Sequence, residues 1–198
     1  MQIRTPAILL AARSHGETAV IARMLTEEYG LVAGYVAGGR GRQLRPVVIP
    51  GNLVALDLRA KSDSQLPFAK LELLLSRGPW LSEPLPAAAI EWSTALTATA
   101  LPERNPYPNL YKALHALLDA VCQAPSARGW APAMLAYEAL LLRELGYGGD
   151  KPRAEGLAEI LPAMEKLADP LQRYLLADRR GDTLAARRQL LARLRKMV

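Results

Sequence analysis

The chain has 198 residues, half of them hydrophobic (51%), with a formal net charge of +6 and a sequence pI of about 9.7. That length and apolar content suit one large domain or two small ones, and the basic excess favours a polyanionic partner, nucleic acid or an acidic protein segment. The lone Cys122 excludes an intramolecular disulfide and a cysteine zinc site. Met1-Gln2-Ile3-Arg4-Thr5-Pro6 lacks the layout of a signal peptide, and Leu9-Leu10-Ala11-Ala12 is too short to span a bilayer. A cytoplasmic, nucleoid-associated protein with no membrane contact is the expectation.

Residues 3–13 read as a strand that ends at Ser14-His15-Gly16. Ser14 and Glu17 have the spacing of a capping box, which predicts a helix running to Tyr29, with Val20, Ile21, Met24 and Leu25 on one face and Gly30 as its stop. Leu31 to Ala37 reads as a second strand. The run Gly38-Gly39-Arg40-Gly41-Arg42-Gln43-Leu44-Arg45 follows, with three arginines and no acid. It is too polar and glycine-rich for a core, so flanking strands would present it to solvent, where binding loops lie.

Pro46, Pro50 and Gly51 break any ladder before Asn52 to Lys61, where Val54, Leu56, Leu58 and Ala60 alternate with Asp57, Arg59 and Lys61. Ser62-Asp63-Ser64 forms a turn. Phe68 to Leu75 alternates again, with Ala69, Leu71, Leu73 and Leu75 inward and Phe68, Lys70 and Glu72 outward. From residue 86 the chain is rich in alanine and leucine. Helices are predicted over 86–100, around Leu110 to Val121, and from Pro132 to Leu145. A short helix with Leu157, Ile160, Leu161 and Met164 is interrupted by Pro162; Asp169-Pro170 opens another, and Asp182 caps a last one over 183–196. Cys122 falls in a helical pattern, as a buried and inert thiol.

Strands followed by helices predict an α+β chain, with residues 1–80 as an OB-like β-barrel and 81–198 as an all-α domain. Nothing legible supports an enzyme. The histidines, His15 and His115, read as structural, and Glu27 and Glu28, adjacent on the expected helix, point apart. The glycine-arginine run lacks the lysine and hydroxyl that end a phosphate-binding P-loop. Neither a cofactor nor a metal is expected.

Nucleic-acid binding fits better. Arg40, Arg42 and Arg45 share one loop, while Arg59, Lys61 and Lys70 extend the track on outward faces. Phe68 shares the face of Lys70 and is expected to pack under the helical segment. From Arg179 to Val198 the chain carries seven cations and one acid. This segment is either a solvated helix whose cations match its C-terminus, or a second polyanion contact through Arg187, Arg188 and Arg195.

The sequence resembles the RecO family of bacterial recombination mediators. The likeness lies in Arg13-Ser14-His15-Gly16-Glu17-Thr18, Leu25-Thr26-Glu27-Glu28-Tyr29-Gly30-Leu31-Val32, Ala37-Gly38-Gly39-Arg40-Gly41-Arg42, Leu53-Val54-Ala55-Leu56, Tyr137-Glu138 and Leu145-Gly146-Tyr147-Gly148. The resemblance implies an N-terminal OB-fold before a helical domain. It also implies binding of single- and double-stranded DNA, strand annealing in DNA repair and recombination, and work with RecR and the single-stranded-DNA-binding protein to load RecA. It implies no catalytic residue.

Two departures stand out. The cysteines that many relatives carry after the Leu-Gly-Tyr segment are replaced by Gly149-Asp150-Lys151-Pro152-Arg153, which removes the zinc site, and the usual insert of the helical domain is trimmed. The basic residues of relatives before the aromatic that matches Tyr137 are replaced by Met134-Leu135-Ala136. An acidic partner tail would then meet Tyr137, with Arg143 on the same helix as the substitute cation. The rival readings are a protein-interaction scaffold and an RNA-binding OB protein.

Overall fold

The computed structural model describes residues 2–60, 65–149, 152–154, 156–177 and 183–197. Lys61, the 62–64 turn, Arg179, Arg180 and the Asp182 cap lie outside the described residues. The chain divides into two compact units, Met1–Ser82 with Leu101–Pro108, and Glu83–Ala100 with Asn109–Val198.

The first unit is a closed five-stranded barrel in the order β1-β2-β3-β5-β4, with β4 returning to β1. The strands are β1 (Gln2–His15), β2 (Ala19–Thr26), β3 (Gly30–Val36), β4 (Leu53–Arg59) and β5 (Phe68–Leu75). The long β1 closes the barrel by serving two neighbours. Its first half pairs antiparallel with β4 and its second half with β2, and a register irregularity between Leu9 and Ala11 lets it turn the corner. The inward set is a single alternating core: Ile3, Ala7 and Leu9 from β1, Val20, Ala22 and Met24 from β2, Val32 and Val36, Val54, Leu56 and Leu58, and Ala69 and Leu71.

The predicted helix before Tyr29 is instead strand β2. Val20, Ile21, Met24 and Leu25 share a face only in a helix; in the strand Val20, Ala22 and Met24 point into the barrel core while Ile21 and Leu25 face the other way, and the strand is hydrogen-bonded on both sides, to β1 and β3. Ser14 ends its days in β1 rather than at a helix cap, and the Thr26 hydroxyl donates to the Gly30 carbonyl at 2.9 Å and accepts from the Tyr29 N–H at 3.0 Å to shape the next turn. On β5, Ala69 and Leu71 point inward as expected, whereas Leu73 and Leu75 are 41% and 43% exposed. The register slips where Leu53 and Val54 face Leu75 and Leu73, so the end of the strand leaves the core alternation.

The second unit is helical: α1 (Pro84–Ala100), α2 (Pro108–Gln123), α3 (Ala131–Glu144), α4 (Leu157–Lys166), α5 (Ala168–Pro170), a π-helical turn (Leu171–Leu176), and α6 (Thr183–Arg195). Pro162 sits inside α4, which continues past it to Lys166. Cys122 is half-buried in α2. α1 is buried round most of its circumference, which includes Trp92, Ser93 and Thr97 as well as apolar residues. Its polar side chains are matched by α3, where Tyr137 OH and Thr97 Oγ1 lie 2.6 Å apart and Trp92 Nε1 donates to Glu138 Oε1 at 2.7 Å.

Candidate nucleic-acid interface

The arginine loop is a folded projection, not a slack one. Gly38 has φ +67°, and a Cβ on Gly39 would stand 2.6 Å from Val20 Cγ2, so the paired glycines let the chain leave β3 tightly against β2. The Arg40 N–H donates to Thr18 O at 2.9 Å and its Nη1 donates to Glu17 O at 3.0 Å, which pins the loop to the β1–β2 turn. Arg45 Nη2 reaches the Arg40 carbonyl at 3.4 Å. Arg40, Arg42 and Arg45 are all exposed, and the Arg42 side chain has no hydrogen-bond partner among the described residues.

The far end of the loop is anchored from inside. Leu44, Val47 and Val48 pack against the barrel core. The buried Asn52 donates through Nδ2 to Pro46 O and Val47 O at 2.9 and 3.0 Å, and its Oδ1 accepts from the Arg77 N–H at 2.8 Å. Arg77 is buried in turn and donates through Nη1 to Gly51 O at 2.8 Å.

Beside the loop, the seam between β3 and β5 is a single parallel pair, Tyr35 with Phe68, sealed by the Tyr35 N–H donating to Pro67 O at 2.8 Å. A cleft of about 500 Å³ opens there, lined by Tyr35, Gln43, Leu44, Arg59, Phe68 and Lys70 among others. Phe68 is 60% exposed and meets Tyr35 edge-on, with centroids 5.3 Å apart; it is not packed away as the sequence reading expected. Tyr35 meets His15 edge-on in the same way at 5.9 Å. The alternation of β3 places Tyr35 outward between the buried Gly34 and Val36, a signal the sequence reading passed over.

Arg59 and Lys70 are exposed on this outward face, but neither is a free cation. Asp57 stands beside Arg59 on β4 and accepts from its Nε at 3.0 Å and its Nη2 at 2.7 Å. The same carboxylate accepts from Arg4 Nε at 3.1 Å and Gln2 Nε2 at 3.3 Å. The Arg59 hydrogen bonds, helped by Gln2 and Arg4, hold the Asp57 carboxyl well below the usual carboxylate range, and the pair pushes the Arg59 guanidinium up. Lys70 lies 3.2 Å from Glu72. The sheet face therefore alternates charge instead of being uniformly basic. Its acids, Asp57 and Glu72, were legible as outward residues, but their pairing with the cations was not drawn from the sequence.

In the helical unit, two expected contacts are corrected. Arg187 is 2% exposed: its Nε and Nη2 donate to the two oxygens of Glu138 at 2.9 and 2.7 Å, Nη2 also donates to the Met164 carbonyl, and its guanidinium lies 5.8 Å from the Trp92 ring centroid. It clamps α6 to α1, α3 and α4, and no phosphate can reach it. Tyr137 is 1% exposed, so it offers no surface to a partner tail; burial pushes its hydroxyl pKa upward despite the Thr97 hydrogen bond. Arg143 is exposed in the last turn of α3. Arg188 is exposed on α6, and Arg195 is held by Glu165 at 2.6 Å. Among the described residues no group of three or more His, Cys, Asp or Glu side chains is placed to hold a metal ion, and no helix is long and apolar enough to cross a membrane.

Comparison with known proteins adds a second line of information. A family model described as "Recombination protein O N terminal" matches residues 1–76, and one described as "Recombination protein O C terminal" matches residues 85–150. The chain is similar to the DNA repair protein RecO of Caulobacter vibrioides (strain NA1000 / CB15N), 41% identical over 152 residues that cover 76% of this chain and 61% of the relative. It is also similar to that of Rhodospirillum centenum, 42% identical with 76% and 59% covered, and that of Phenylobacterium zucineum, 38% identical with 81% and 66% covered. The chain thus spans about three fifths of the length of the first of these curated relatives.

Proposed function

The chain belongs to the RecO family, and on that premise we propose that it is a DNA repair and recombination mediator that binds single- and double-stranded DNA on its barrel. In this reading it promotes strand annealing and helps RecR load RecA onto DNA coated by the single-stranded-DNA-binding protein. It works in the cytoplasm at the nucleoid, by electrostatic capture and without a catalytic residue. One observation carries the proposal: Arg40, Arg42 and Arg45 stand exposed on a loop that glycines, Asn52 and Arg77 hold in place, next to an open cleft with Arg59 and Lys70 on its wall.

Arg40, Arg42 and Arg45 neutralise phosphates, and Arg59, Lys61 and Lys70 continue the track. Phosphate contacts position a strand without reading its sequence, so binding is weakly sequence-dependent. Arg188, Arg195 and Arg143 remain candidates for a second polyanion or an acidic partner tail, and Arg187 and Tyr137 are withdrawn from those roles because they are buried.

The test is anisotropy of a labelled single-stranded oligonucleotide across a salt series, for the intact protein and for the Arg40→Ala, Arg42→Ala, Arg45→Ala triple variant. Each lost phosphate contact flattens the log–log salt slope by roughly 0.7 on a single strand, so the variant is expected to bind more weakly with a slope shallower by about 2. A variant that binds like the intact protein would remove the loop from the interface.

A further inference from the structure

We infer that Phe68 is a base-stacking platform that gives the barrel a preference for single-stranded over duplex DNA, separate from the arginine loop. The inference rests on the DNA-binding reading above and names what the same face does beyond holding phosphates.

The strand register sets out the site. Phe68 pairs with Tyr35 across the parallel seam and with Arg59 on β4, so Tyr35, Phe68 and Arg59 stand in one row on three adjacent strands. In the next row Lys70 pairs with Asp57, which itself faces Arg4 on β1. The order across the sheet is aromatic, aromatic, cation, with a second cation two residues along β5. Neighbouring strands lie about 4.8 Å apart, so a base laid on Phe68 has its backbone within reach of Arg59 or Lys70.

The ring is also held ready. A large apolar side chain with three fifths of its surface in water is a cost unless something covers it, and Tyr35 and His15, edge-on in sequence, limit where it can turn. The edge-on contact uses the rim of one ring against the face of another, and the cleft leaves room for a flat partner. The flanking cations and the three loop arginines choose the class of that partner: a flat aromatic group on a polyanionic backbone. In a duplex the base faces are covered by their neighbours; in a single strand they are available.

The experiment compares three ligands by anisotropy at one salt concentration: an oligothymidylate strand, an abasic strand of the same length and phosphate count, and a duplex. The full chain, Phe68→Ala, Phe68→Trp and the triple loop variant are measured. The full chain should bind the base-bearing strand roughly five- to a hundred-fold tighter than the abasic one. Phe68→Ala should bring that ratio towards one and leave duplex binding unchanged, and Phe68→Trp should keep the ratio. The loop variant should weaken binding to all three while preserving it. Phe68 is exposed, so truncating it leaves the barrel core intact, which circular dichroism checks. Equal binding of the base-bearing and abasic strands by the full chain, or a ratio that survives Phe68→Ala, overturns the stacking site alone. Failure to bind any of the three ligands overturns the DNA-binding reading itself, and the stacking site with it.

Discussion

Arg187→Met is the substitution whose consequence the structure fixes most tightly. Glu138 is fully buried and accepts three hydrogen bonds, two of them from Arg187 and one from Trp92. Methionine keeps much of the apolar stem and removes the guanidinium, which leaves a carboxylate in the helical core with one neutral donor. Breaking a buried pair in this way costs about 3–5 kcal/mol. Domains have about 5–15 kcal/mol in total, so the helical unit would sit near its unfolding threshold. Removing both charges, with Glu138→Leu and Arg187→Met together, should recover at least about 2 kcal/mol of the loss even though Trp92 Nε1 then lacks its acceptor. Urea unfolding followed by helical circular dichroism gives the three numbers. A single variant within about 1 kcal/mol of the intact protein would refute the clamp. So would a folded Arg187→Met protein with a flattened DNA salt slope, because that would return Arg187 to the phosphate-contacting set.

Two further substitutions probe the other unusual polar groups. Asp57→Asn removes the charge that occupies Arg4 and Arg59, so single-strand binding at low salt should tighten and its salt slope steepen by up to about 0.7; weaker binding would mean that Asp57 matters more for ordering the two guanidiniums than for cancelling them. Tyr137→Phe loses the Thr97 contact at a cost of about 1 kcal/mol near neutral pH, while Thr97 keeps its bond to the Ser93 carbonyl. Because burial raises the folded pKa of Tyr137 above the unfolded one, its neutral form supports the fold below the ordinary tyrosine pKa, and that support fades as the unfolded chain ionises above it. Urea midpoints between about pH 9 and 11 should therefore fall less in Tyr137→Phe than in the intact protein, and parallel curves would show that Tyr137 is not the group responsible.

The barrel was legible where alternation was unambiguous. Val54, Leu56 and Leu58 against Asp57 and Arg59 leave no helical alternative, and β4 forms as read. β2 was not legible, because Val20, Ile21, Met24 and Leu25 fall on one helical face and the Ser14–Glu17 pair added a false helix start; what decides the matter is pairing with the two neighbours in the chain, β1 and β3, which outweighs that local signal. The exposed loop arginines could be read directly, since a glycine-rich run with no acid has nothing to bury it. Arg187 could not. Its helix position alternates with exposed arginines, and only the placement of Glu138, forty-nine residues earlier, shows that one of them is a core residue. Tyr137 failed for the same reason: the adjacent Glu138 and the facing Trp92 and Thr97 define a buried polar seam that no local pattern announces.

The electrostatics of the barrel face explain why loop and sheet should do different work. On the outward sheet, Arg4, Arg59 and Lys70 stand against Asp57 and Glu72, a net of one positive charge spread over exposed, water-screened pairs. The loop adds three arginines between residues 40 and 45 with no carboxylate in the run. Screening confines each charge to about 8–10 Å, so an approaching phosphate is drawn mainly by the group it is nearest, and the loop is where the uncancelled charge lies. The sheet offers little net attraction but a fixed geometry: a held aromatic row with guanidinium and ammonium groups at its side. If the barrel binds DNA as proposed, salt dependence is then expected mainly from the loop and base dependence from the sheet. In the proposed reading a duplex, with its base faces covered, is expected to depend mainly on the loop, whereas a single strand draws on both.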